Sequence, residues 1–149
     1  MVLQRVGPFF YPRTRSVRTH SRSRSFKLQA VLTVGTEWLI EASGCDAGAL
    51  RDVERLRGVF ARAVSELDLR VVGEPLWHKF PGEGGATGLA MLTESHLACH
   101  TYPEFGVATF NLYCCRERPA WPWAERLAEM LGAREVSVRS VSRAGGGDD

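Results

Sequence analysis

Apolar residues recur along this chain with two different periods, and each period predicts one type of secondary structure. Between residues 47 and 67 they return every three or four positions, which predicts the helix Ala47–Leu67 with one buried face. Asp46 is a suitable N-cap for this helix. A second helix is expected after Pro119 and ends at Gly132. Its apolar side carries Trp123, Leu127 and Leu131.

Shorter segments with alternating or β-favouring apolar residues predict the strands. They are Glu37–Ser43, Leu69–Val72, Leu89–Leu92, Val107–Cys115 and a closing strand that contains Val136 and Val138. The element order is therefore β-α-β-β-β-α-β. This order predicts an α+β fold, a two-layer sandwich in which helices cover one face of a mostly antiparallel sheet.

The strand Val107–Cys115 has one apolar and one more polar face, because successive side chains of a strand point to opposite sides. The apolar face carries Ala108, Phe110, Leu112 and Cys114. The other face carries Val107, Thr109, Asn111, Tyr113 and Cys115. Cys114 is therefore expected as a small buried hydrophobe, whereas Cys115 points away from the core, where a thiol can react.

The net charge of +2 is unevenly distributed along the chain. Residues 1–34 hold seven of the 19 basic residues and no acidic residue. Rich in Arg and Ser, they bury too little apolar surface to fold and are expected to be a disordered basic extension. The expected domain spans residues 35–143, followed by a flexible tail at 144–149. Residues 35–149 carry 12 basic and 17 acidic residues, which leaves no general basic surface for nucleic acid.

The four cysteines are expected to be free thiols of a reducing compartment. Cys114 and Cys115 are adjacent, so a bridge between them would be strained, and no secretory signal precedes them. None of the C-x-x-C spacings of structural zinc sites is present, so no metal is expected. No apolar run has the length of a membrane span, so a soluble, cytoplasmic protein is expected.

The segment from Thr93 to Glu104 concentrates reactive side chains and reads TESHLACHTYPE. Ser95 is followed five positions later by His100 and twenty positions later by Cys115. This combination resembles the self-processing segment of the bacterial and archaeal S-adenosylmethionine decarboxylases. The resemblance extends from about residue 35 to residue 142 and so covers the whole expected domain.

The resemblance implies that the chain cuts itself between Glu94 and Ser95. In that family the serine hydroxyl attacks the preceding carbonyl, the peptide becomes an ester, and β-elimination followed by hydrolysis leaves a pyruvoyl group. His100 matches the base of this reaction, and Thr87 stands where the family usually has a helper serine. In an unbroken strand, Ser95 and His100 would lie on opposite faces, so their meeting needs a bend, a bulge or a site at the strand end.

The implied cofactor is the covalent pyruvoyl group derived from Ser95. Its ketone forms a Schiff base with the substrate amine and takes up the electrons left by the departing carboxylate. Cys115 matches the residue that then returns a proton to carbon. The resemblance assigns substrate binding to Phe80, Tyr102 and Glu104, since an aromatic face stacks on adenine and a carboxylate accepts hydrogen bonds from ribose hydroxyls.

The implied substrate is S-adenosylmethionine, whose decarboxylated form is the aminopropyl donor for spermidine and other polyamines. Four departures from the family pattern lie near the expected site: Tyr102 in place of Trp, Asn111 in place of Asp, Arg116 in place of Gly, and one additional residue between Phe80 and Ser95. Some members of the superfamily decarboxylate arginine or ornithine instead. Glu83 and Glu104 are available for the distal cation of such a substrate, which keeps arginine or ornithine as the alternative.

A second alternative is a non-catalytic binding or regulatory paralogue. The joint presence of Glu94, Ser95, His100 and Cys115 favours the enzyme, since a non-catalytic copy has no chemical need for them. The resemblance further implies a homodimer of cleaved chains with sites near the subunit interface. For residues 1–34, a targeting peptide, a solvated tail and a start codon placed too far upstream are all compatible with the composition. The start of the resemblance near Gly35 favours the latter two.

Overall fold

The computed structural model describes residues 32–145, which form one six-stranded antiparallel sheet with helices packed on one face. The strands, in chain order, are β1 (Leu32–Ser43), β2 (Leu76–Lys79), β3 (Ala86–Leu92), β4 (Ser95–Tyr102), β5 (Val107–Cys114) and β6 (Glu135–Gly145). The helices are α1 (Ala47–Arg51), α2 (Val53–Glu66) and α3 (Trp123–Leu131), with a 3₁₀ turn at Pro103–Phe105. In space the strands follow the order β2-β3-β4-β5-β1-β6. The predicted α+β sandwich is confirmed.

The first residues of β1 pair with the end of β6, so the sheet reaches beyond the expected bounds 35–143. Leu32 pairs with Gly145 and Thr33 with Ala144, with a register shift before Gly35. The remainder of the expected basic extension and of the tail, residues 1–31 and 146–149, lies outside the described residues.

The core lies between the sheet and the helices. Alternate residues of β1 are buried there, and so is every second residue of β5 from Ala108 to Cys114, as the strand parity predicts. The helices contribute a stripe of fully or almost fully buried side chains: Leu50, Leu56, Val59, Phe60, Leu127 and Leu131. The other side of the sheet, here called the outer face, has no described helix on it. Its side chains include Glu37, Thr87, His96, His100 and Asn111.

The predicted single helix Ala47–Leu67 is wrong, because the structure divides it at Asp52. This residue is extended, with φ −83° and ψ 99°, and its carboxylate accepts hydrogen bonds from the N–H groups of Glu54 and Arg55. Aspartate is more favourable as an N-cap than in a helix interior, because as a cap its carboxylate binds the free N–H groups at the start of the helix. The predicted caps Asp46 and Gly132 are confirmed, with the Asp46 carboxylate 2.7 Å from the N–H of Ala49.

The predicted strand Leu69–Val72 is also wrong, and four strands rather than three lie between the helices. Only Val71 forms a bridge, to Leu92 of β3. Gly73, with φ 71°, turns the chain away, and Pro75 removes a backbone donor, so the ladder ends there. The next strand, β2, begins at Leu76 instead.

Thr101 anchors β4 to the helical layer. It is 1% exposed, and its hydroxyl donates to the carbonyl of Leu50 at 2.8 Å while it accepts from the N–H of Ala86 at 2.8 Å. A buried hydroxyl with both partners made holds the strand in one position. The strand that carries Ser95 and His100 is therefore fixed against both α1 and β3.

Candidate active site

The expected cleavage position lies at the tip of the hairpin between β3 and β4. Leu92 pairs with Ser95, so only Thr93 and Glu94 form the turn. Two-residue hairpin turns that match the twist of the strands need a positive φ within the turn. Neither turn residue has one; Ser95 takes a φ of 142° instead. Non-glycine residues rarely adopt this conformation, which costs about 1–3 kcal/mol. The bond that precedes Ser95 is therefore held in a strained backbone.

The side chain of Glu94 is fixed by Arg118, from the segment after β5. The two groups form a two-point ion pair in which Arg118 Nε lies 3.0 Å from Glu94 Oε2. Only 10% of the Glu94 side chain and 19% of the Arg118 side chain are exposed. Hydrogen bonding to the guanidinium lowers the pKa of the Glu94 carboxyl below its usual value, so this group stays ionised at neutral pH.

The carbonyl of Glu94 accepts a hydrogen bond from the backbone N–H of Cys115 at 3.0 Å. This is the carbonyl that the hydroxyl of Ser95 would attack. A fixed N–H donor at that oxygen can stabilise the negative charge that develops on it during attack. A backbone hydrogen bond thus joins the tip of the hairpin to the end of β5, and it does not depend on the side chain of Cys115.

The hydroxyl of Ser95 contacts the neighbouring His96, which sequence analysis did not assign to the site. Ser95 Oγ lies 3.1 Å from His96 Nδ1, and His96 Nε2 lies 2.9 Å from Asn111 Oδ1. Asn111 Nδ2 donates to Glu37 Oε1 at 2.7 Å. Strand parity could have placed His96 and Asn111 on one face, but the hydrogen bond between them from β4 to β5 could not be read from spacing.

Cys115 lies one residue beyond β5 and is exposed, whereas the neighbouring Cys114 is fully buried. Burial raises the pKa of the Cys114 thiol to about 11, which makes it a poor source of thiolate. The expected division between a core cysteine and a solvent-facing one is confirmed. A recess of about 370 Å³ opens beside Cys115, lined by Thr36 and Glu117 among others.

His100 lies at the other end of β4 and forms a cluster of its own on the outer face. Its Nδ1 lies 2.6 Å from the hydroxyl of Thr87. Its ring is 5.4 Å from the ring of Phe80 and 4.4 Å from that of Tyr102, measured between centroids. Glu104 follows in the 3₁₀ turn and is exposed. An open depression of about 410 Å³, lined in part by His100 and Thr87, runs across this part of the sheet.

The structure therefore divides the expected site residues into two groups. The cleavage group comprises Glu94, Ser95 and Cys115, to which the structure adds His96. The aromatic group comprises Phe80, Thr87, His100 and Tyr102, followed in the chain by the exposed Glu104. Ser95 and His100 lie five residues apart in an unbroken strand, about 16 Å at the usual rise of a strand. Within one chain, the structure does not bring Ser95 and His100 together.

Within residues 32–145, no three His, Cys, Asp or Glu side chains converge in a way that would hold a metal ion. No helix in the same range is long and apolar enough to cross a membrane.

Comparisons of the sequence and of the fold with known proteins point to the same protein family. The model of a protein family described as S-adenosylmethionine decarboxylase matches residues 36–144. An S-adenosylmethionine decarboxylase proenzyme of Geobacillus kaustophilus is 34% identical over 111 residues, 74% of this chain and 88% of that protein. One of Pelotomaculum thermopropionicum is 32% identical over 111 residues, 74% of this chain and 86% of that protein. The crystal structure of the adenosylmethionine decarboxylase from Aquifex aeolicus superposes with a TM-score of 0.64 at 26% identity, covering 78% of this chain and 96% of that one.

Proposed function

The chain belongs to the S-adenosylmethionine decarboxylase family, and on this basis we propose that it is a self-cleaving enzyme that decarboxylates S-adenosylmethionine for polyamine synthesis. The observation that carries the proposal is the geometry at the Glu94–Ser95 bond. Its carbonyl is held by the N–H of Cys115, its serine hydroxyl contacts an imidazole, and its backbone is strained. These are the features that an attack of the hydroxyl on the preceding carbonyl requires.

A pyruvoyl group formed from Ser95 would supply the electron sink for decarboxylation. The residues around Ser95 fit such a group. Cleavage leaves it at the start of β4, next to the end of β5 where Cys115 lies. The ion pair between Arg118 and Glu94 holds the other new chain end near the site. Cys115 is exposed, unlike the buried Cys114, so its thiol can reach the substrate and give a proton to carbon.

Replacing Cys115 by alanine is expected to separate cleavage from decarboxylation. The backbone N–H that contacts the Glu94 carbonyl remains in the variant, so self-cleavage should proceed. The proton donor is lost, and kcat should fall by about 100-fold or more, the usual contribution of a general acid. Intact mass and the steady-state rate of the cleaved protein measure the two effects. The buried Cys45, replaced by alanine, is the matched control. An uncut Cys115→Ala chain would assign the side chain to cleavage instead.

The site is complete only if a second copy contributes the aromatic group. The outer face exposes several large apolar side chains: Leu76 at 71%, Leu89 at 44%, Met91 at 59% and Val141 at 43%. A two-fold contact through this face would be isologous, and with its axis across β4 it would bring one end of β4 in each copy to the other end in its partner. His100 of one copy would then lie at Ser95 of the other. We therefore favour a homodimer with two shared sites.

The aromatic group fits the adenosyl part of the substrate. Phe80 and Tyr102 both contact the ring of His100 and leave aromatic surface on the outer face for a purine to stack against. Glu104, exposed in the following turn, is available to accept hydrogen bonds from ribose hydroxyls. We also place the protein in the cytoplasm, because an exposed catalytic thiol persists in a reducing compartment.

Intact mass under denaturing conditions and release of labelled CO₂ test the proposed function together. Two fragments, residues 1–94 and residues 95–149 with a pyruvoyl terminus, are expected from the purified protein. Carboxyl-labelled S-adenosylmethionine, arginine and ornithine are then compared as substrates, and release from S-adenosylmethionine alone is expected. Release of CO₂ only from arginine or ornithine would contradict the proposed substrate and leave the proposed decarboxylation chemistry in place. A stable, uncut chain would favour a non-catalytic paralogue.

A further inference from the structure

We propose that His96 is the general base that takes the hydroxyl proton of Ser95 in the first step of self-cleavage, and that Asn111 and Glu37 hold it in the tautomer this step needs. The inference rests on the self-cleavage proposed above. It adds one catalytic residue and two positioning residues that the spacing of Ser95, His100 and Cys115 did not indicate.

The contact between Ser95 and His96 is made within one chain, at the bond to be cut. The two side chains are adjacent at the beginning of β4, and Oγ lies 3.1 Å from Nδ1. This is within the range for a direct proton transfer. The positive φ of Ser95 has a geometric consequence here, because regular strand geometry would send two successive side chains to opposite faces. The strained residue instead brings its hydroxyl to the imidazole beside it.

The orientation of Asn111 follows from its partner Glu37. An ionised carboxylate accepts hydrogen bonds and donates none, so the group of Asn111 that contacts it must be the NH₂, at 2.7 Å. The amide oxygen then faces His96 Nε2 at 2.9 Å. Because that oxygen only accepts, Nε2 must carry the proton of the neutral ring. Nδ1 is left with its lone pair toward the hydroxyl of Ser95, which is the form a base requires.

Glu37 is itself held as an acceptor. Hydrogen bonds from Asn111 and then from Arg143 lower the pKa of its carboxyl below the usual value, so it is ionised at neutral pH. Arg143 lies on β6 and forms an ion pair with the second oxygen of Glu37. Four strands thus contribute to one hydrogen-bonded series, β6, β1, β5 and β4, which ends at the serine hydroxyl.

The step balances without any added reactant. The proton of Ser95 Oγ passes to His96 Nδ1 while Oγ forms a bond to the carbonyl carbon of Glu94. The carbonyl oxygen takes the negative charge and keeps its hydrogen bond from the N–H of Cys115. The carbon–nitrogen bond then breaks as the serine nitrogen receives the proton from His96, which leaves an ester. In the later step the α proton of Ser95 is removed and the ester is eliminated, and His100 of the second copy is the proposed base for that step.

The test is the cleavage rate of freshly synthesised chain, followed by intact mass. His96→Ala is expected to slow cleavage by about 100-fold or more, and added imidazole is expected to restore a large part of the rate. Imidazole restores a lost base but not a lost packing contact. His78→Ala removes an exposed histidine of β2 as the matched control and should cleave like the unmodified chain. Thermal unfolding checks that each variant is folded, and His96→Gln replaces His96→Ala if the latter is not.

Two substitutions of Asn111 test its positioning role separately. Asn111→Leu keeps the volume and removes the acceptor, so cleavage should slow by about tenfold or more as the unproductive tautomer becomes accessible. The double variant Asn111→Asp/Glu37→Gln still offers an acceptor to Nε2 and keeps a donor–acceptor contact between positions 37 and 111, so it should retain cleavage. A folded His96 variant that cuts at the unmodified rate, or a folded His96→Ala chain that is slow and unaffected by imidazole, would overturn the inference. If the unmodified chain itself stays uncut, the proposed function fails, and not only the role of His96.

Discussion

With Ser95 replaced by alanine, the chain is expected to stay a single polypeptide of 149 residues without decarboxylase activity. The substitution removes the only hydroxyl that can reach the Glu94 carbonyl from the next residue, and with it the precursor of the pyruvoyl group. Both losses are complete, because no other atom of alanine can form the ester. Intact mass under denaturing conditions and CO₂ release measure them.

Thr93→Ala is the matched control for Ser95→Ala. It removes a hydroxyl from the same hairpin tip, two residues earlier, where the side chain is exposed. This variant should cleave and decarboxylate like the unmodified chain. A Ser95→Ala chain that still splits into two fragments would mean that another nucleophile opens the hairpin, and the assignment of the cleavage site would be wrong.

Co-expression of Ser95→Ala and His100→Ala chains is expected to restore activity that neither variant has alone. A mixed dimer contains one site with both residues and one site with neither, if Ser95 and His100 act across the interface. Random pairing makes half of the dimers mixed, so about a quarter of the unmodified activity should return. The physical basis is the separation of the two residues along one strand, about 16 Å.

The control for this experiment is co-expression of Ser95→Ala with the double variant Ser95→Ala/His100→Ala, which offers no intact serine and should stay inactive. Tagged chains purified in two steps isolate the mixed dimer and show how much activity belongs to it. If the mixed dimer is inactive while each homodimer is folded, Ser95 and His100 do not act as a shared pair, and the proposed homodimer site is contradicted.

The candidate cleavage residues Glu94, Ser95 and Cys115 were predicted from the resemblance of their types and spacing to a known family. The structure brings these three residues together through a hairpin and one backbone hydrogen bond. Arg118 was not predicted. Its ion pair with Glu94 joins residues 24 positions apart, and Arg118 lies after β5 in a segment without helix or strand, so no period relates the two residues.

The errors in the predicted elements have local physical causes. Asp52 falls on a helical position of the apolar pattern, yet its carboxylate caps a new helix. Leu69–Val72 has the composition of a strand, but Gly73 and Pro75 end its pairing after one bridge. Apolar periodicity indicates which side chains are buried. It does not detect a polar side chain that hydrogen-bonds to backbone N–H groups and so interrupts a helix.

By itself, the sequence determined the layers of the fold and the core face of β5, and its resemblance to a known family supplied the candidate residues for self-cleavage, because side-chain period and local motif are read along the chain. Only the tertiary structure decided which of these residues meet. It separated Ser95 from His100, gave Ser95 its positive φ, and joined His96 to Asn111 and Glu37 across three strands. These relations depend on strand register and on contacts between residues up to 74 positions apart, which no local pattern encodes.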